Sequence, residues 1–85
     1  MNDDATVSLK KALYLDQDLV LAHFTLATLE QRKGKIKESR RYFHNALSLL
    51  ESYKLDDIIP ESEGMSAVRL RDIIMATTAA MGQGG

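Results

Sequence analysis

The sequence predicts an all-α protein made of antiparallel helical hairpins, about four helices in all, with the last helix capping one end. Three observations lead there. Apolar residues recur at i, i+3 and i+4 along most of the chain, and no stretch alternates apolar and polar residues as a strand would. Helix breakers are few, one Pro and five Gly in 85 residues, and most of them fall between the periodic segments or at the chain end. Two of the segments also resemble each other: Ala12-Leu13 and Ala46-Leu47 stand 34 residues apart, with Leu9 matching Phe43 and Ala5 matching Ser39.

The first helix is expected over about 4–15 or 6–15. Val7 joins Leu9, Ala12, Leu13 and Leu15 on or near its apolar side. The stretch DQD (16–18) interrupts it, and Asp18 is suited to N-cap the next helix, because a carboxylate oxygen accepts from the amides a helix start leaves unpaired. The second helix is expected over about 19–33. Val20, His23, Phe24, Ala27 and Glu30 follow one helical track, while Ala22, Leu26 and Leu29 follow another. Two usable faces imply a helix held between neighbours. Gly34 is placed to end it in the left-handed conformation.

The third helix is expected over about 36–53. Ile36, Ser39, Tyr42, Phe43, Ala46, Leu47 and Leu50 form its buried face, and Lys35, Lys37, Arg40 and Arg41 fall mostly opposite. Residues 54–65 (KLDDIIPESEGM) read as an acidic loop, since they hold the Pro and a Gly and no sustained period. Ser66 can N-cap a fourth helix over about 67–81, whose Leu70, Ile73, Ile74, Thr77 and Met81 recur on one side with Val68 beside them. That stripe is expected to cap the repeat by packing on the second and third helices. The tail 82–85 reads as a flexible terminus. The organisation is thus 1–18, 19–53, 54–65, 66–81 and 82–85.

Hydrophobic residues make up 45% of the chain and charged residues 27%, a globular composition. The absence of Cys removes disulfides and thiolate chemistry, and fits a reducing, cytoplasmic setting. The start, MNDDATVSLKK, has no apolar core of a signal peptide, and no apolar run approaches the ~20 residues of a membrane span. Net charge is −1, but residues 31–54 hold seven basic and two acidic side chains between flanks with two basic and five acidic each. Six Lys or Arg crowd between Arg32 and Arg41. A nucleic-acid binder would be basic overall and would interleave exposed aromatics. Here Tyr42 and Phe43 are better used in packing, so the cluster reads as a solvated helix face, with neither nucleic acid nor membrane expected as partner; the rival reading is a nucleic-acid-binding helical fragment that uses Arg32 to Arg41 and binds with a steep salt dependence.

The 34-residue offset is the tetratricopeptide period. The stretch AHFTLATLEQRKGKIKESRRYFHNAL (22–47) resembles one tetratricopeptide repeat. His23 takes the place of the family's first aromatic, Leu26-Ala27 stand for Leu-Gly, and Gly34 is the inter-helix glycine. Ser39 is the small residue of the second helix, and Phe43 and Ala46 close it. Glu30 departs from the usual Tyr, and Gln17 and Glu51 from the usual prolines. The resemblance implies one complete repeat preceded by the second helix of another, so the chain reads as a piece of a longer protein.

A narrower resemblance covers about 9–74. The segments YLDQD (14–18), AHF (22–24) and PESEG (60–64) before Arg69-Leu70 are similar to the C-terminal tail of CheR-type chemoreceptor methyltransferases, which methylate receptor glutamates with S-adenosylmethionine. The catalytic chemistry is not expected in this chain, which has no strand followed by a glycine-rich turn to hold that cofactor. The resemblance implies a regulatory or partner-binding tail acting in chemotaxis. Its partner would be a chemoreceptor or, docking in cis, the enzyme's own catalytic domain.

No catalytic, cofactor-binding or metal-ligating set is expected. His23 and His44 are too few for a metal site, Asp16 and Asp18 suit turn and cap roles, and the acids Asp56, Asp57, Glu61 and Glu63 lack EF-hand spacing. Ser39 and Ser48 have no His–Asp arrangement, and Met65, Met75 and Met81 suit gap-filling or the cap surface. The family's groove positions fall on Leu21, Phe24, Thr28, Gln31 and Arg32. Leu21 and Phe24 would offer apolar contact, Thr28 and Gln31 hydrogen bonds, and Arg32, with Lys33 and Lys35 nearby, a charge-assisted bond to an acidic peptide or a C-terminal carboxylate. With no helix before the first, its stripe of Leu9, Ala12, Leu13 and Leu15 is expected to drive a homodimer produced by truncation.

Overall fold

A computed structural model of the chain describes residues 2–16, 18–60 and 62–84, the side chains of 2–5 and 82–84 excepted. Gln17, Glu61 and the side chain of Ala5, which figure in the sequence reading, lie outside them. Among the described residues the protein is all-helical: α1 (Asn2–Leu15), α2 (Val20–Arg32), α3 (Ile36–Leu50) and α4 (Ala67–Gly84). A single isolated antiparallel bridge joins Ile58 and Ser66. Contact is most extensive between α2 and α3, and α1 packs on α2 and α4 on α3.

The α2–α3 hairpin follows from its turn. Gly34 adopts φ +82°, and a side chain there would find open space, so the backbone conformation alone selects glycine. The amides of Lys35 and Gly34 reach back to the carbonyls of Glu30 (2.9 Å) and Gln31 (3.0 Å), the paired bonds of a Schellman ending. The reversed chain then lays α3 along α2. Ala27, Ser39 and Ala46 are fully buried, and the Ser39 hydroxyl donates to the Ala27 carbonyl at 2.7 Å. Small side chains here let the two backbones approach closely.

Two apolar clusters flank α2. On one side Leu13 of α1 meets Ala22 and Leu26, with Leu9, Leu19 and Tyr42 packed around them. On the other, Val20 and Ala27 join Phe43, Ala46 and Leu50 of α3 and Leu70, Ile74 and Met81 of α4. The helix held between neighbours is therefore α2. Burying Leu70 and Ile74 completely contributes roughly 1.5–3 kcal/mol each. Ile73 and Thr77, beside them, are half-buried.

Several expectations need correction. In α1, Leu13 is buried and Leu9 half-buried, but Leu15 is 85% exposed and Val7 and Tyr14 are also outside. Leu15 stands two residues, about 200° around the helix, from Leu13, so both cannot face α2. Of the stripe expected to be bare, Leu13 is thus covered and Leu9 and Ala12 are half-covered, while Leu15 stays exposed. Asp18 does not cap α2: the N-cap is Leu19, without a side-chain hydrogen bond. Asp16 organises the turn instead, its Oδ1 accepting the Asp18 amide at 3.0 Å. Ile36, the first residue of α3, is 39% exposed rather than buried. That helix ends at Leu50, because the amides of Glu51, Ser52 and Tyr53 bond to the carbonyls of Ser48, Leu49 and Leu50 in successive tight turns. Residues 82–84, expected as tail, continue α4 to Gly84.

The 54–65 segment is ordered by backbone bonds. The Ile59 amide donates to the Met65 carbonyl (2.8 Å) and the Ala67 amide to the Asp57 carbonyl (2.8 Å). Beyond the inner rung the Ser62 hydroxyl donates to the Ile59 carbonyl (2.6 Å) and accepts the Met65 amide (3.0 Å). Glu63 (φ +59°) and Gly64 (φ +94°) close the turn. Folding back in this way drives Ile59, 1% exposed, into the main core. Ser66 then caps α4 by accepting the Arg69 amide at 3.4 Å.

Candidate functional site

A helix flanked on two sides keeps a third side open. On α2 that side is the line Leu21, Thr25, Thr28, Arg32, whose spacings of four, three and four residues place them on successive turns. His23, Leu26, Ala27 and Glu30 point the other way and are buried.

The five groove positions read from the sequence do not all share this line. Leu21 and Thr28 lie on it, half-buried, and Arg32 lies on it exposed. Phe24 and Gln31, half-buried, lie to one side. Phe24 meets Phe43 edge-on, with ring centroids 6.0 Å apart, and so contributes to the core as well as to the surface. The Thr28 hydroxyl donates to the Phe24 carbonyl (3.1 Å) and the Thr25 hydroxyl to the Leu21 carbonyl (2.8 Å). Each hydroxyl therefore keeps only acceptor capacity for a ligand.

At its N-terminal end the line drops into a cleft of about 210 Å³. Leu21 and Thr25 form its floor, Leu9 and Ala12 of α1 one wall, and Ile59 and Pro60 the other. Asp18 stands on the rim. Leu21 is the only expected groove residue that lines this cleft. The second wall is missing from the sequence reading. Its one signal was the apolar run Ile58-Ile59-Pro60 in an otherwise polar, acidic loop.

The basic end of α2 is also rearranged. The Lys33 ammonium lies 3.5 Å from the Glu30 carboxylate and donates to the Thr6 hydroxyl at 2.9 Å. Lys33 is thereby drawn to the α1–α2 junction, leaving Arg32 and Lys35 exposed near the groove's far end. Glu30, only 2% exposed, has Lys33 as its cation, and among the described residues its buried Oε1 accepts no hydrogen bond. Lys35, Lys37, Arg40 and Arg41 are all exposed, and the Arg41 guanidinium rests 5.4 Å over the Tyr42 ring.

His23 is buried against Tyr42, with ring centroids 6.3 Å apart, whereas His44 is exposed. Ser39 is consumed by its bond to Ala27. Asp57 closes a turn by accepting the Lys54 amide at 2.9 Å. Among the described residues no group of three or more His, Cys, Asp or Glu could hold a metal ion, and no helix is long and apolar enough to cross a membrane.

No family model, curated protein or solved structure matches the chain. The features that bear on function are therefore the outer face of α2, with an apolar cleft and an acidic rim at one end and exposed cations at the other.

Proposed function

We propose that the chain is a non-catalytic protein-interaction module of tetratricopeptide type, with α2 as its binding face. The observation that carries this reading is the open line Leu21–Thr25–Thr28–Arg32 on a helix whose other sides are held by α1 and α3. Repeat proteins present grooves in this way, because each helix pair stacks on its neighbours and leaves one helix edge facing a partner. The close approach at Ser39 and Ala27, the Gly34 turn and the burial of Phe43 support the family assignment. So does the 34-residue offset, which places Ala12-Leu13 of α1 where Ala46-Leu47 stand in α3.

Within that reading the setting is the regulatory tail of a cytoplasmic chemoreceptor methyltransferase, supported by the segments 14–18, 22–24 and 60–64. The tail recruits a chemoreceptor or docks in cis on the catalytic domain, and Arg32 supplies a charge-assisted bond to a carboxylate on that partner. The test titrates the chain, by calorimetry, with a chemoreceptor cytoplasmic fragment and separately with the isolated catalytic domain. Binding to one of them that weakens in Arg32→Glu, at unchanged helicity, is the expected result and decides between the two roles. Failure to bind either removes the chemotaxis setting.

A further inference from the structure

The two ends of the α2 face differ in chemistry, and the cleft end specifies its occupant. Its lining is mainly apolar, with Leu9, Ala12, Leu21, Ile59 and Pro60 beside Thr25 and Tyr53, and among the described residues no Lys or Arg lines it. Its volume, about 210 Å³, falls below the ~300 Å³ at which pockets begin to enclose whole small molecules. It suits one inserted side chain instead. The charged group on its rim is the exposed Asp18, with the exposed Asp16 joined to it through the Asp18 amide. A carboxylate at the edge of a mainly apolar cleft favours a cation on whatever enters, and disfavours an acidic group.

We infer that the cleft receives a single large apolar side chain of a peptide that carries a Lys or Arg next to it. This inference rests on the reading of the α2 face as a binding surface and deepens it, because it assigns the two ends opposite charge preferences. Leu21 and Arg32 are eleven residues apart on α2, about 16 Å along the axis. An extended peptide covers that span in about five residues. The apolar and basic pair therefore sits in the cleft, and a carboxylate about five residues away meets Arg32. Acidic peptides without the basic pair bind only at the Arg32 end.

The probe is a phage library of random dodecapeptides, selected on the immobilised chain. Enriched peptides are synthesised and titrated against the chain and against three variants, Asp18→Lys and Arg32→Glu at exposed positions and Thr25→Trp within the cleft. The expected result is enrichment of a bulky apolar residue beside Lys or Arg, with affinity about tenfold weaker in Asp18→Lys and in Thr25→Trp, a loss of about 1.4 kcal/mol. The Asp18→Lys loss should shrink at high salt. Enrichment of acidic peptides that depend on Arg32 but ignore Asp18 and Thr25 overturns the cleft assignment and leaves the α2 face standing. A library that yields no specific peptide overturns both. Sedimentation of the chain alone as a dimer that Asp18→Lys dissociates makes a second copy the occupant, and overturns the peptide assignment.

Discussion

The Ser39 hydroxyl donates a hydrogen bond to the Ala27 carbonyl at 2.7 Å, and neither residue exposes any surface. The bond spans the α2–α3 contact where both residues are fully buried, so position 39 is both small and a donor. The two requirements separate by substitution. Ser39→Ala keeps the size, and should cost about 1 kcal/mol, the ordinary net value of one such bond. Ser39→Leu adds bulk where no space exists and forces the helices apart, which should cost about 1–3 kcal/mol more. Urea denaturation measures both. Equal midpoints for the two variants would mean that close approach does not govern this hairpin.

The buried Glu30 and the partly exposed Lys33 form the ion pair that ties the end of α2 to α1 through Thr6. Lys33→Met leaves the Glu30 carboxylate buried without its cation, and should cost on the order of 3 kcal/mol. Replacing both partners, Glu30→Leu with Lys33→Met, removes the stranded charge and should recover most of that loss. A single Lys33→Met variant as stable as the parent protein would show that the carboxylate finds its compensation elsewhere.

Ile58 and Ile59 are neighbours with opposite fates: Ile59 is in the main core, while Ile58 is largely exposed. Ile59→Ala should cost about 2–5 kcal/mol, because it leaves a cavity among Val20, Phe43 and Leu70. Ile58→Ala should stay within about 0.5 kcal/mol. Similar losses for both would contradict the register imposed by the Ile59–Met65 and Ala67–Asp57 backbone bonds.

That pair also marks where the sequence stops being readable. The helices were legible because apolar residues at helical spacing and a well-placed Gly34 report on local geometry. Ser66 was legible as a cap for the same reason. The loop was not, since backbone rungs between Ile59 and Met65 leave no trace in side-chain periodicity. The facing of α1 was misread for another reason. Apolar residues lie on both of its sides, Leu9 and Leu13 on one, Val7 and Leu15 on the other, and only the position of α2 chooses between them. Of the candidate site, the positions Leu21, Phe24, Thr28, Gln31 and Arg32 came from the family resemblance, and only helix geometry separates Leu21, Thr28 and Arg32 from the other two. The cleft was not legible, because residues distant in the chain form its two walls.

Ile74 is fully buried against the α3 side of the core, and Met75, the next residue, is 54% exposed. The capping role of α4 therefore reduces to a contrast between two adjacent positions with equal helix-forming context. Ile74→Asp places a carboxylate among Phe43, Ala46 and Leu70, where no cation is at hand in the cluster, and should cost several kcal/mol. Met75→Asp adds the same charge to the same turn in water, and should leave the thermal midpoint nearly unchanged. The pair removes the objection that aspartate merely weakens the helix, since that effect is common to both. Amide exchange then tells how far the damage spreads. If α4 caps the hairpin, Ile74→Asp should speed exchange in α4 first and also in α3, whose Phe43 and Leu50 lose their cover. An Ile74→Asp protein that melts with Met75→Asp would reject the cap, and would leave α2 and α3 to hold their core without it.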